Sequence, residues 1–275
     1  MTALFAIFLP LAIAYGGTWR WLVESWSHET SYYAHGPLVP LVVVVVIWLR
    51  RGTWRAVPPL RDAQAWWLLG PALLLHLAGA ALTIDSLSGA SLVLAVPAAA
   101  WLAHGRARLR GMWPALWFVA FCVPMPIFLS GRLVFELKEF AVSGALALAR
   151  ALGSGVERSG ADLLLPGQQE RLFVADPCGG LNSLLSLVTL AYCVAFFVGP
   201  AQTGRRLVLL VAAVPIALLV NLLRVTGLCL LADRYSVPWA STTGHAWLNV
   251  AEWVLALALL LGVDRLASRI CARTA

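Results

Sequence analysis

Eight apolar runs, separated by more polar segments, organise the chain. They cover residues 3–22, 36–49, 64–82, 90–104, 112–130, 180–199, 207–231 and 246–263. Several of them approach the ~20 apolar residues that an α-helix needs to cross a bilayer. The chain lacks the ten-residue alternating strands of a membrane β-barrel. The pattern therefore predicts an all-α polytopic membrane protein with about eight transmembrane helices.

The composition agrees with this prediction. Of 275 residues, 61% are hydrophobic and only 12% are charged, whereas a soluble domain carries about 25% charged residues. So little charge cannot cover a water-soluble globular enzyme of this size, and that class is excluded. We find no internal repeat and no linker long enough to separate domains, so we expect one membrane domain over residues 1–275.

The basic residues predict the orientation of the spans. Clusters follow the second, fourth, sixth and eighth runs, and they contain twelve arginines: Arg50, Arg51, Arg55, Arg61, Arg106, Arg108, Arg110, Arg205, Arg206, Arg265, Arg269 and Arg273. All of these loops lie on one side if the N-terminus starts in the cytoplasm, as the positive-inside rule requires. The C-terminus is then cytoplasmic too. This distribution is typical of a topology signal and not of a nucleic-acid-binding face. We expect the first run to be a retained span, because no basic segment precedes it.

The opposite face receives one long segment, residues 131–179. Residues 132–152 predict an amphipathic helix on the outer leaflet. Its polar face would carry Arg132, Glu136, Glu139, Ser143 and Arg150. Its apolar face would carry Leu133, Leu137, Phe140, Gly144 and Leu148. The stretch 161–175 then predicts a short extended hairpin around Pro166-Gly167.

Three residues near predicted outer span ends are candidates for chemistry: Cys178, Arg224 and His245. Ionisable residues within spans are costly and usually functional. Pro177, Gly179 and Gly180 around the cysteine suit a helix start, where the helix dipole favours a thiolate. The predicted topology brings all three candidates to one depth, so we expect them to converge.

The partners of these candidates are left open by the sequence. Arg224 could stabilise an oxyanion or bind a substrate carboxylate, or it could form a structural ion pair with Asp233, Glu252 or another outer acid. Asn221, one turn earlier on the same helical face, could orient its guanidinium.

The general acid or base is also a choice among several histidines. His245, with Asn249 one turn on, could exchange a proton with the thiol and a leaving amine. His28 and His35 are also predicted outside and remain alternatives for that role.

The remaining cysteines carry a different expectation. Cys122, Cys193 and Cys229 lie within spans and are expected to pack as small hydrophobic residues. An odd number of cysteines without a Cys-x-x-Cys pair fits neither a disulfide framework nor a zinc site. No metal or organic cofactor is implied, because no ligand cluster has the spacing of a metal site.

These residues resemble the exosortase/archaeosortase family over most of the chain. The motifs are Tyr-x-His-Gly (33–36), Pro-Met-Pro (124–126), LKEFAVSGA (137–145), VERSG (156–160) with LLLP (163–166), Asp-Pro-Cys-Gly-Gly (176–180), Asn-Leu-Leu-Arg (221–224) and Gly-His (244–245). Histidine at the third position of the Cys-Arg-His order is similar to the bacterial exosortases. The family cysteine is often followed by Ser-Gly, where this chain has Gly179-Gly180.

The resemblance implies a cysteine transpeptidase or protease at the outer face of the bacterial cytoplasmic membrane. Its substrates would be exported proteins with a C-terminal Pro-Glu-Pro-type motif, a transmembrane helix and a basic tail. Cys178 would be the nucleophile, His245 the acid/base, and Arg224 would stabilise the oxyanion or hold the motif. The resulting thioacyl-enzyme would pass to an unknown amine-bearing acceptor or to water. The predicted partners are these substrates, that acceptor and membrane lipid, with no nucleic acid.

Two other classes of function compete with this hypothesis. In a transporter, or a component of a polysaccharide or protein export system, Arg224 and His245 would line a path for an anionic solute. The missing internal symmetry argues against a transporter. A non-catalytic scaffold is the other alternative, and the presence of all three candidate residues argues against it.

Overall fold

The structure is a computed structural model that describes residues 2–28, 31–159, 162–165, 172–173, 179–199 and 202–273. Most of this part of the chain is helical. In chain order the helices are α1 (Thr2–Ala14), α2 (Gly16–Ser27), α3 (Leu38–Leu49), α4 (Arg51–Arg55), α5 (Trp66–Ala81), α6 (Asp85–His104), α7 (Arg106–Leu109), α8 (Trp113–Trp117), α9 (Ile127–Ala151), α10 (Leu181–Phe197), α11 (Thr203–Arg234), α12 (Val237–Trp239) and α13 (His245–Arg273). A 3-10 turn precedes α5, another follows α8, and a π-helical turn joins α12 to α13. The predicted helical class is therefore confirmed.

Within the described residues, three segments are long and apolar enough to cross a membrane unaided. They are Asp85–His104, Thr203–Arg234 and Val237–Ala272. The bent pair Trp113–Cys122 and Ile127–Ala151 makes a fourth if it counts as one span. The chain is thus a multi-pass membrane protein, while eight spans with both termini in the cytoplasm stay a prediction.

Two apolar runs do not form the single helices that their length suggests. The run 3–22 is interrupted at Tyr15, just before two glycines of low helix propensity. The run 112–130 breaks at residues 123–126, where Pro124 and Pro126 cannot donate backbone hydrogen bonds. After that break α9 begins at Ile127, five residues before the predicted start of the amphipathic helix.

The chain divides into two compact units, Met1–Leu129 and Ser130–Ala275. In the first unit α5 packs along α6, and hydroxyl groups join the helices in its interior. His76 Nδ1 lies 2.7 Å from Ser88 Oγ, and Thr18 Oγ1 lies 2.6 Å from the same oxygen. His76 is thereby held in a structural network. The prediction of one membrane domain over the whole chain is not tested by this division and stays a prediction.

In the second unit α10 and α13 both pack on the long helix α11. Leu187, Leu209 and Leu260, one from each helix, are almost fully buried in one apolar cluster. A second cluster joins α11 to α9 through Ala145 and Val225. This packing fixes the mutual positions of α11 and α13, the two helices that carry Arg224 and His245.

The buried face of α9 differs from the predicted apolar face. The residues that pack inside the protein are Ala141, Val142, Ala145 and Ala149. Phe140 and Leu148, both placed on the apolar face, are 50% and 38% exposed. Small side chains let two helices approach closely, so alanines make the helix contact and the larger side chains stay on the outer surface.

A three-stranded antiparallel sheet follows α9, in the order β1 (Glu157–Ser159), β2 (Asp162–Leu164) and β3 (Leu172–Phe173). Strands β2 and β3 are the two arms of the predicted hairpin, whose Pro166-Gly167 turn lies outside the described residues. Strand β1 was not predicted. Arg158 holds it to α9 through two hydrogen bonds to the Glu139 carboxylate, of 2.6 and 2.7 Å.

Arg205, predicted only as a topology signal, is 1% exposed and ties three helices together. Its Nε donates to Asp264 Oδ1 at 2.7 Å, and its Nη2 donates to the carbonyls of Val194 and Val198 at the end of α10. Replacing Arg205 with alanine leaves a half-buried carboxylate and helix-end carbonyls without these donors. We expect Arg205→Ala to lower the free energy of unfolding by about 3–5 kcal/mol.

Thermal unfolding of the purified protein in detergent measures this loss. Arg265→Ala, on the exposed side of α13 beside Asp264, is the matched control and should change stability by no more than ~0.5 kcal/mol. Equal melting temperatures for the two variants would show that the Arg205 contacts contribute nothing net.

Candidate active site

Arg224 and His245 lie in direct contact within the second unit. Arg224 is 7% exposed, and its Nη2 is 2.6 Å from Nε2 of His245. Its Nη1 donates to Oε2 of Glu252 at 2.9 Å. Glu252 is itself 4% exposed. One guanidinium therefore bridges an imidazole and a carboxylate, both carried by α13.

The contact with Arg224 determines which nitrogen of His245 carries the proton. A guanidinium has only donors, so Nε2 of His245 accepts this hydrogen bond. The imidazole is then neutral, and its proton is on Nδ1. In this state the lone pair that would receive a proton from a thiol is bound by Arg224.

Local structure explains why α13 presents these side chains together. His245 begins the helix directly after the π-helical turn Ala240–Gly244. Such turns add a residue to the helical repeat and often lie at functional sites. Glu252 follows seven residues later, two turns along the same face. Both side chains therefore point towards the turn of α11 that carries Arg224.

Cys178 lies outside the described residues, but the two glycines after it are described. Gly180 precedes α10 with φ of +95°, a left-handed conformation that favours glycine. A Cβ added there would lie 2.8 Å from Nδ2 of Asn221. The chain next to Cys178 therefore packs against α11 one turn from Arg224. The predicted helix start after the cysteine motif is confirmed, and Gly180 has the backbone freedom that this start requires.

The two supporting asparagines have different positions. Asn221 is 3% exposed, and its Oδ1 makes no hydrogen bond with any described residue. The guanidinium of Arg224 is oriented by Glu252 instead of Asn221, as the hydrogen bond from Nη1 shows. Asn249 is exposed on α13. Of the two, only Asn221 is buried beside the cluster.

Glu252 was considered in the sequence only as one of several ion-pair partners for Arg224. The structure selects it over Asp233, which is exposed near the end of α11. Its second oxygen, Oε1, is buried and has no hydrogen-bond partner within the described part of the chain. The signal that could have found it is its spacing of seven residues from His245 within an apolar run.

Lys138 is a second residue that the sequence analysis did not place near the site. It is the only lysine of the chain and lies on α9. A Cβ added to Gly179 would lie 3.3 Å from the Lys138 Cβ. The stem of this cation therefore packs against the residue that follows Cys178, and Lys138 joins the candidate site by position.

The alternative histidines belong to the first unit. His28 is exposed at the end of α2. His35 Nε2 lies 3.2 Å from the carbonyl oxygen of Phe121, and burial lowers the pKa of its imidazole. In the same region the Tyr33 hydroxyl accepts from the Met125 backbone N–H. The Tyr-x-His-Gly motif therefore holds the broken segment around Pro124.

The other cysteines have ordinary packing positions. Cys122 and Cys229 are buried, while Cys193 and Cys271 are half-buried. These four cysteines form no disulfide within the described part of the chain. Cys193 lies on α10, the helix that follows the cysteine motif, and it therefore serves as a matched control for Cys178.

Comparison with known proteins gives one family. The sequence model of the family described as "Transmembrane exosortase" matches residues 26–263, which is most of the chain. The matched range includes Cys178, Arg224, His245 and Glu252. No curated protein and no solved structure matches the chain.

Proposed function

The chain belongs to the transmembrane exosortase family, and on that premise we propose that it is a membrane-embedded cysteine transpeptidase or protease. Its substrates are exported proteins with a C-terminal sorting signal of a Pro-Glu-Pro-type motif, a transmembrane helix and a basic tail. The site faces the outside of the bacterial cytoplasmic membrane. A substrate helix reaches it laterally, through the bilayer.

One observation carries this proposal: the buried cluster of Glu252, Arg224 and His245, with the chain next to Cys178 packed one turn away. A cysteine acyl transfer needs a nucleophile, a proton acceptor and a cation for the oxyanion. The cluster supplies the last two in fixed geometry. Glu252 holds the guanidinium, so Arg224 is a preorganised cation in a water-poor site.

The first half of the reaction forms a thioester. Cys178 Sγ attacks the scissile carbonyl carbon, and the thiol proton passes to Nε2 of His245. The carbonyl π electrons become an oxyanion, which Arg224 stabilises. When the oxyanion collapses, the C–N bond breaks and His245 returns its proton to the leaving amine. The second half repeats these steps with an amine acceptor or water, and it regenerates the thiol.

These reaction steps require Arg224 to change its hydrogen-bond partner. While Nη2 donates to His245, the lone pair on Nε2 cannot take the thiol proton. A substrate carbonyl oxygen that accepts from Nη2 frees that lone pair. Glu252 keeps its hydrogen bond to Nη1 of Arg224 throughout. Only the Nη2 side of the guanidinium therefore changes its partner. Substrate binding then activates the base, and the resting enzyme keeps a weakly active thiol.

Trapping of the acyl intermediate tests the proposed function. Membranes containing the full chain are incubated with a tagged substrate of the type described, with and without hydroxylamine. A thioester reacts with hydroxylamine to give a hydroxamate and the free thiol, so we expect a hydroxamate at the new C-terminus of the tagged product. Cleavage without any hydroxamate would contradict the thioester. No cleavage of any substrate from the same genome would favour a transporter or scaffold.

We expect the Lys138 ammonium to favour the thiolate form of Cys178, because a nearby cation stabilises a negative charge. We expect Lys138→Met to slow alkylation of Cys178 by iodoacetamide about 10-fold at neutral pH, because a smaller fraction of the thiol is then ionised. The rate is measured against pH by mass spectrometry. Lys138→Arg keeps the charge and should retain the wild-type midpoint. If the pH midpoint of alkylation is unchanged in Lys138→Met, Lys138 contributes only packing to this site.

A further inference from the structure

A basic pocket in the first unit is unrelated to the residues of the proposed active site. It has a volume of about 360 Å³ and lies between the segment around residue 60 and the end of α6. Two short stretches of chain line it: residues 58 and 60–62, and residues 104–108. The volume lies within the ~300–1,000 Å³ range of small-molecule sites.

Close backbone contact builds this pocket. The Leu60 N–H donates to the His104 carbonyl at 3.4 Å. Gly105 has φ of +76°, and a Cβ there would collide with the Leu60 carbonyl oxygen. Glycine is therefore required for the two segments to come together. Together they place charged side chains from two distant parts of the sequence around one cavity.

The pocket has an excess of positive charge. Arg61, Arg106 and Arg108 contribute +3 and Asp62 contributes −1, which leaves +2 with His104 neutral. The Asp62 carboxylate already accepts from the Gln64 N–H at 3.0 Å and from Trp101 Nε1 at 2.7 Å. Among the described residues it forms no ion pair with these arginines. The cations are thus available to an anion.

Two side chains of the pocket lining matter for ligand binding: one is held in a fixed position, and the other has an unused hydrogen-bonding atom. Arg108 Nε donates to the Trp54 carbonyl at 3.2 Å, and its guanidinium lies 4.8 Å from the centre of that indole ring. Nδ1 of His104 is buried and has no hydrogen-bond partner within the described chain. Arg108 is held in place, and in the neutral tautomer with its proton on Nδ1 the His104 ring can donate a hydrogen bond to an anion.

The position in the chain indicates the depth of the pocket in the membrane. Helix α5 begins four residues after Asp62 with Trp66 and Trp67, which are 53% and 86% exposed. Exposed tryptophans mark the headgroup level of a bilayer. The positive-inside rule places this arginine-rich side towards the cytoplasm, where anionic lipids concentrate.

We propose that this pocket binds a phosphate group, supplied by the headgroup of an anionic phospholipid of the inner leaflet. If these arginines served only to orient the spans in the membrane, the loop would need neither a concave site nor the close contact that Gly105 permits. Guanidinium groups match phosphate oxygens in geometry as well as charge. The headgroup depth favours lipid over free phosphate as the source.

Thermal unfolding of the full chain in a neutral detergent tests the proposal. The additives are micellar phosphatidylglycerol, phosphatidylcholine, inorganic phosphate, and chloride at matched ionic strength. We expect phosphatidylglycerol to raise Tm by about 5 °C, and phosphatidylcholine and chloride to leave it unchanged. The double variant Arg61→Gln/Arg106→Gln should lose this shift. Arg110→Gln, an exposed arginine outside the pocket, should keep it.

Each other outcome overturns a defined part of the proposal. An equal rise with phosphatidylcholine, or in the double variant, would show that the pocket does not bind the anionic headgroup. An equal rise with inorganic phosphate would make free phosphate the ligand. Loss of the shift in Arg110→Gln as well would mean that overall charge, and not the pocket, attracts the lipid. A variant whose Tm without additive equals that of the wild-type protein is folded.

Discussion

Replacing Cys178 with alanine is expected to lower substrate cleavage by more than ~1000-fold, because no other group can form the thioester. A serine at this position keeps the shape but has a far less acidic hydroxyl, so Cys178→Ser should be equally inactive. The measurement is the fraction of tagged substrate that loses its C-terminal helix when it is co-expressed with each variant. Membrane levels of the enzyme are quantified in the same samples.

Cys193→Ala is the matched control for this experiment. It removes one thiol from α10, fifteen residues further on, and should leave cleavage within a few-fold of wild type. If Cys178→Ala processes substrate at the wild-type rate, then Cys178 has no part in the chemistry. The transporter or scaffold hypotheses would then explain the buried arginine better.

Arg224→Lys is expected to lower cleavage by about 100-fold or more. A lysine ammonium is a single point charge, whereas the guanidinium reaches Glu252 and His245 with two separate nitrogens, at 2.9 and 2.6 Å. The variant keeps the charge near Glu252 but cannot serve both partners. The loss should appear mainly in kcat, because the oxyanion exists only along the reaction path.

Glu252→Gln removes the negative charge of the Arg224–Glu252 pair but keeps the shape of the side chain. The amide oxygen still accepts from Nη1, so the guanidinium stays in place without its counter-charge. We expect a smaller loss than in Arg224→Lys, about 10-fold. Arg234→Lys, an exposed change at the end of the same helix, is the control for both variants. Normal cleavage by Arg224→Lys would show that the pair with Glu252 is only structural.

The sequence predicted the helical elements well because two of its signals are local. Apolar runs mark helices in a membrane protein, and the runs at 64–82, 90–104 and 207–231 correspond to α5, α6 and α11. Glycine at residue 180 and proline at residues 124 and 126 act on the backbone next to them. The family motifs are local too, and the family match agrees with the resemblance that they carry.

Faces and partners were less predictable. In water, an apolar side chain is a sign of the core. In a membrane, large apolar side chains can face lipid, so Phe140 is half exposed while Ala145 is buried. Hydrophobic periodicity alone cannot separate a lipid-facing side from a packed side.

The class of protein, the positions of most helices, the family and the candidate residues Cys178, Arg224 and His245 can all be read from the sequence alone. The tertiary structure alone decided that Arg224 pairs with Glu252 and not Asp233, and that Lys138 lies beside Gly179. It also decided that Arg61 and Arg106 share a pocket. Each of these pairings joins residues 28 to 45 positions apart in the sequence. Such contacts depend on how helices and loops pack, which no local pattern encodes.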